Sequence, residues 1–213
     1  MKKIDRIMII ELFILLITAI IAIFLWDKLP NKIPIHWNGS GEIDGYGNKL
    51  KSLIGLYCIP LFFSILYPIF RKIDPKKKKY EQFEKTWRIF NITIFLYFIF
   101  IFLVVLFLSL NPSYKIEPFI FSGIGILFIV MGNYMPKIKQ NYFIGVKTPW
   151  TIDNEENWNK THRLSGTLFV IVGFIFILNI FLKLNSIFIF IPIILLCAII
   201  PIFYSYILYK KNK

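Results

Sequence analysis

Two histidines, His36 and His162, are the side chains of this chain best suited to move a proton or hold a transition metal near neutral pH. His36 stands close to Glu42 and Asp44, and one imidazole with two carboxylates is an acceptable ligand set, although the spacing carries no metal-site signature. A loop held by hydrogen bonds and aromatic packing accounts for the same residues. His162 adjoins Arg163 and follows Glu155 and Glu156 by about two helical turns, which suits either an acid/base pair or a structural network at a helix start. HExxH, HxxEH, GxSxG and P-loop patterns are all missing. Cys58 and Cys197 lie in apolar runs where a thiolate would be costly, and they form no CxxC pair. The expectation is therefore no catalytic residue, no metal site and no cofactor.

The elements that must position these residues are membrane helices. Of 213 residues 57% are hydrophobic and 17% charged, against about 25% charged in ordinary soluble domains. The apolar residues are gathered into blocks. A hydrocarbon core about 30 Å thick takes roughly 20 helical residues, and six such stretches occur, at 7–26, 52–70, 92–110, 118–135, 164–182 and 184–209. The last two are separated by Lys183 and a turn-like 184–186. Glu11, near one end of the first stretch, is expected to reach headgroups or pair with Lys3 or Arg6. A basic start followed by about twenty apolar residues and no small-x-small site reads as an uncleaved anchor rather than a signal peptide.

Net charge is +13, and its distribution sets the orientation. With both termini cytoplasmic, 19 of the 25 Lys and Arg residues fall on the inner side, a bias expected of short cytoplasmic loops. The basic residues thus report topology and anionic lipid, not direct nucleic-acid binding. The same topology puts His36 and His162 on opposite sides of the membrane, so they cannot share a site. The fold class expected is an all-α integral membrane protein with six transmembrane helices and a small hairpin-like extracytoplasmic loop, 27–51, between helices 1 and 2.

In that loop Pro30 and Pro34 exclude a regular helix start, and Gly39, Gly41, Gly45 and Gly47 mark tight turns. Ile35, Trp37, Ile43 and Tyr46 would form its apolar side. In the first inner segment, 71–88, Asp74-Pro75 signals a helix start, and Tyr80, Phe83 and Trp87 then share a face, as in an interfacial helix with lysines on headgroups. Its run Lys76, Lys77, Lys78 and Lys79 is also a candidate docking surface for an acidic cytoplasmic partner. The second inner segment, 132–166, is richer than a connector needs. Asp153 and Glu156 fit a capping box, placing Asn154, Trp158, Thr161, His162 and Ser165 on one helix side, with Pro149 and Trp150 folded back over it and Lys147 and Arg163 as the cations. A small membrane transporter, or a membrane enzyme using His162 and Arg163, is the alternative. Pro60, Pro68, Pro192, Pro201, Gly123, Gly125 and Gly173 permit kinks and close helix contacts, but the spans hold almost no charge to couple an ion.

The two loop vocabularies converge on one family. Ile33-Pro-Ile-His-Trp-Asn38 with Gly41-Glu-Ile-Asp-Gly-Tyr-Gly-Asn-Lys49 resembles the extracytoplasmic motif of the DUF1648 module. Gly132-Asn-Tyr-Met-Pro-Lys137, Asn141-Tyr-Phe-Ile-Gly145, Thr148-Pro-Trp-Thr151, Asn154-Glu155, Trp158, Thr161-His-Arg163 and Gly166 resemble the signature of the SdpI immunity family. Lys147 departs from the expected Arg, keeping the charge but losing a planar fork. The resemblance covers essentially the whole chain and divides it into a DUF1648-like module (1–70), a basic interfacial segment (71–91) and an SdpI-like module (92–213). It implies a multi-pass protein of the bacterial cell membrane that protects its host against a secreted toxin peptide. In the best-known member of the family the same protein is also a receptor that draws a cytoplasmic ArsR-like repressor to the membrane. The resemblance further implies that His36, Trp37, Asn38, Asp44 and Tyr46 face the toxin. The inner motif cluster then comprises Asn133, Pro136, Asn141, Gly145, Lys147, Thr148, Pro149, Trp150, Asn154, Glu155, Trp158, Thr161, His162 and Arg163.

Overall fold

The computed structural model describes residues 6–182 and 187–211. The expected turn at 184–186 and the partner Lys3 lie outside the described residues. Within them, six helices are long and apolar enough to cross a membrane: α1 (Arg6–Phe24), α2 (Lys49–Ile73), α3 (Glu84–Leu110), α4 (Glu117–Tyr134), α6 (Glu155–Leu182) and α7 (Ile187–Lys211), with a five-residue α5 (Pro149–Asp153) before α6. α3 is the most enclosed, burying Phe90, Phe95, Ile99, Phe102, Val105 and Leu108 along its length. Ile9, Phe13, Leu16 and Ile20 of α1 and Leu195, Leu196 and Phe203 of α7 are exposed, as apolar side chains facing lipid are.

α4 and α6 make the closest pair. A Cβ on Gly125 would stand 2.8 Å from the Gly173 carbonyl oxygen, and one on Gly132 would stand 2.7 Å from that of Gly166. Two glycine pairs, each seven residues apart on its helix, let antiparallel backbones touch, which is how helices associate where no hydrophobic drive exists between them.

One end of the bundle carries a two-stranded antiparallel hairpin, β1 (Lys32–Trp37) and β2 (Ile43–Asn48), with register shifts around His36. Asn38 builds its turn by accepting from the Ser40 and Glu42 N–H groups at 2.9 and 3.0 Å. Asn48 ends the strand and caps α2, accepting from the Lys51 N–H. Lys49 closes the base, donating to the Trp26 and Leu29 carbonyls at 3.0 and 2.9 Å. The hairpin therefore rests on the bundle, with Ile33 fully buried among Leu53, Phe102, Val105 and Leu106. The apolar side differs from the expected one: Ile33 and Trp37 pack inward, while Ile35 and Tyr46 are exposed, because the bulges beside His36 break the two-residue alternation.

The opposite, lysine-rich end also departs from expectation. Glu11 does not sit at an interface: it is 1% exposed and accepts from Ser64 Oγ at 2.5 Å and Asn91 Nδ2 at 2.7 Å, tying α1 to α2 and α3. Asp74 starts no helix but ends α2, and a 3-10 segment, Lys77–Phe83, leads straight into α3. The third helix thus begins eight residues before its apolar run. Tyr80, Phe83 and Trp87 are not a lipid-facing stripe; they are buried against Met135, Ile138 and Trp158.

Candidate functional site

At the lysine-rich end the motif residues form a bonded latch. Asn141, fully buried, folds the loop after α4 on itself: Oδ1 accepts from the Phe143 and Ile144 N–H groups, each at 2.8 Å, and Nδ2 donates to the Lys139 and Ile144 carbonyls. This brings Gly145 against His162. Its φ of +105° suits glycine alone, and a Cβ there would land 2.1 Å from His162 Nε2. The next residue donates its N–H to that nitrogen (Val146, 3.1 Å), while Nδ1 donates to the Trp158 carbonyl at 2.9 Å. A backbone N–H can only donate and a carbonyl can only accept, so the imidazole is the neutral Nδ1–H tautomer with both nitrogens engaged. The ring stacks on Trp158 with centroids 4.0 Å apart, and Trp158 Nε1 donates to the Ile138 carbonyl at 2.7 Å.

The expected capping box is displaced. Thr148 and Thr151 cap α5 reciprocally, at 2.9 and 3.2 Å, whereas Asn154, not Asp153, caps α6 by accepting from the Asn157 N–H at 2.8 Å. Thr148 Oγ1 shares a hydrogen bond of 3.1 Å with Ser205, Asn157 Nδ2 donates to the Ser205 carbonyl, and Thr161 donates to Asn157. Pro149 opens α5 and Trp150 packs on Tyr206 and Tyr209 of α7. Pro136 lies against Gly166.

Three polar residues absent from the expected cluster hold it to the rest of the chain. Buried Asp74 accepts from Tyr80 OH at 2.7 Å and from the Lys76 and Tyr142 N–H groups at 2.6 and 2.9 Å. Gln140 donates to the Thr151 carbonyl and accepts from Lys76 and Lys79, and Asn157 bridges α6 to α7. Gln140 and Asn157 stand inside the 132–166 segment, and that placement is their one signal in the sequence. The outlying members are equally plain. Arg163 is exposed, Lys147 donates to the Phe143 carbonyl, Asn133 bonds its own helix at Ile129, and Glu155 pairs with Lys79 at 2.8 Å. The expected cations thus do not point into the cluster. Of the four lysines, Lys77 and Lys78 are exposed, while Lys76 and Lys79 are held by Gln140.

At the hairpin end, His36 Nδ1 lies 2.5 Å from Asp44 Oδ1 and Asn38 Nδ2 donates to Glu42 at 3.2 Å. The two carboxylates thus have separate partners, and among the described residues no three potential ligands converge on a metal site. His36, Trp37 and Asn38 form one edge of a groove of about 460 Å³, whose other walls come from α4, α6 and α7 through Ile120, Phe121, Phe176 and Phe190. Tyr46, although exposed, is not part of it.

A six-helix bundle with lipid-facing apolar sides, a hairpin over one end and a latch at the other is the body of a multi-pass membrane protein. Comparison with known proteins gives its kind. The profile of the SdpI/YfhL protein family matches residues 137–205, and that of DUF1648, a domain of unknown function, matches residues 13–61. The immunity protein SdpI of Bacillus subtilis (strain 168) is 31% identical over 208 residues, covering 95% of this chain and 96% of that protein. No solved structure matches. The chain belongs to the SdpI immunity family and is a membrane immunity protein of the bacterial cell membrane.

Proposed function

We propose that the hairpin end is the extracytoplasmic face on which a secreted toxin peptide is met, that both termini are cytoplasmic, and that the latch holds the receiving face in shape without performing chemistry. The observation that carries this reading is the contrast in bonding: His36 and Asn38 edge an apolar groove with only exposed, local partners, whereas the motif residues at the other end, beside a second apolar pocket of about 470 Å³ lined by Ile144, Gly145 and Val146, are spent on one another. The asymmetry of 19 basic residues out of 25 supports the orientation. Both nitrogens of His162 are occupied and Arg163 points away, which favours a scaffold over the enzyme alternative. A peptide bound in the groove would touch α4, α6 and α7 together, and α6 and α7 run to the latch.

The test is protection of cells. Trp37→Ala and Asp44→Ala, each present in the membrane at normal level, are expected to lose resistance to the toxin, and full resistance in both would refute the assignment. A receptor role is a second reading, favoured by exposed Lys77 and Lys78 beside the latch. Neutralising those two should then release a cytoplasmic repressor from membranes while leaving resistance intact.

A further inference from the structure

The groove under the hairpin holds one group that its neighbours do not satisfy. Glu117 stands in the first turn of α4, and both of its carboxylate oxygens are shielded from solvent without a hydrogen-bond partner. The hairpin turn lies directly on it. A Cβ on Gly41, whose φ is +74°, would fall 2.1 Å from the Glu117 carboxyl carbon, so only glycine lets the turn close over the carboxylate. Apart from His36 and Asn38 on the hairpin edge the lining is apolar, from Ile116, Ile120 and Phe121 to Phe176 and Phe190, and no Lys or Arg is among the described lining residues. A cation brought to an unpartnered carboxylate among apolar walls would be held more strongly than in water.

Resting on the reading that this end meets the toxin, we propose that the groove recognises an apolar peptide segment carrying a primary ammonium or guanidinium, with Glu117 as the residue that reads the charge. The apolar side chains fill the space between Ile120, Phe121, Phe176 and Phe190. The cationic head displaces the Gly39–Gly41 turn and pairs with the Glu117 carboxylate. Selectivity then comes from a group left unpaired in the free protein, so that a neutral isostere forfeits the pairing yet keeps the apolar contacts.

The probe is N-acetyl-Phe-Leu-Phe-Lys-amide and its Nε-acetyl-lysine counterpart, titrated against the full chain in nanodiscs of neutral phosphatidylcholine. The free-amine peptide is expected to bind at least tenfold more tightly. Glu117→Gln should bring the ratio to about one, Glu117→Asp should keep part of it, and Ile120→Trp, which fills the groove, should weaken both peptides. Equal affinities in the unaltered protein, or a ratio that survives Glu117→Gln, overturns the charge-reading role. Binding of neither peptide overturns the groove as a peptide site, and phospholipid retained by the protein but lost from Ile120→Trp would then identify a lipid site instead. Cellular resistance separates this from the reading it rests on: charge selectivity in nanodiscs together with full resistance in both Trp37→Ala and Asp44→Ala cells sinks the toxin-facing assignment and leaves the cation site standing.

Discussion

The two ends of the bundle spend their polar groups in opposite ways. At the lysine-rich end Asp74, Gln140, Asn141, Thr148, Asn157 and His162 bond to one another, to backbone groups or to the next helix. At the hairpin end the polar side chains form short local pairs on an exposed turn, next to a groove and an unsatisfied carboxylate. A saturated network in a low-dielectric setting fixes geometry and offers little to a ligand, because each bond to the ligand must replace one already made. Apolar volume beside unspent hydrogen-bonding capacity offers a ligand a net gain. On the proposed reading, richness in motif residues is no guide to where a partner binds: the denser motif would be the frame and the sparser one the receiving face.

This contrast is broken most directly by Gly145→Ala. The left-handed φ and the collision with His162 should cost about 3 kcal/mol or more, seen as a large shift of the unfolding midpoint in SDS titration of the reconstituted protein. Unfolding at the native midpoint would mean that loop and imidazole are not locked together. Next comes Trp158→Phe, which strands the Ile138 carbonyl in the core and should cost about 1–3 kcal/mol by the same titration. Lys79→Met removes a partly exposed pair with Glu155 and a bond to Gln140, and the expected loss is below about 1 kcal/mol. Smallest in stability is Asp44→Ala, which removes one exposed pair with His36. Its midpoint should stay near that of the unaltered protein while resistance is lost, so a midpoint shift as large as that of Trp158→Phe would erase the distinction between the ends.

The axial plan of this fold was legible, and the azimuthal plan was not. Runs of about twenty residues with few or no charges located all six long apolar helices, and the proline and glycine punctuation of 30–47 located the hairpin. Hydropathy says how deep a residue lies and not which way it faces. Hydropathy alone therefore puts Glu11 near headgroups, whereas it turns inward to Ser64 and Asn91, and gives Tyr80, Phe83 and Trp87 to lipid, whereas they pack on Met135, Ile138 and Trp158. Aromatics beside lysines look alike in sequence whether the surface they cover is membrane or protein. The capping signal at Asp153 was one residue out because Asn154 offers the same chemistry beside it. Glu117 had no signal at all. A carboxylate at a helix start is ordinary, and its significance comes from the turn that Gly41 lays over it from 76 positions away.

The claim that the hairpin end receives the toxin is tested most directly by photocrosslinking in living cells, with benzoylphenylalanine placed at Ile35, exposed beside the groove, or at Arg163, exposed beside the latch. On exposure to toxin, an adduct should form from position 35 and none from position 163. An adduct from position 163 alone would contradict the account.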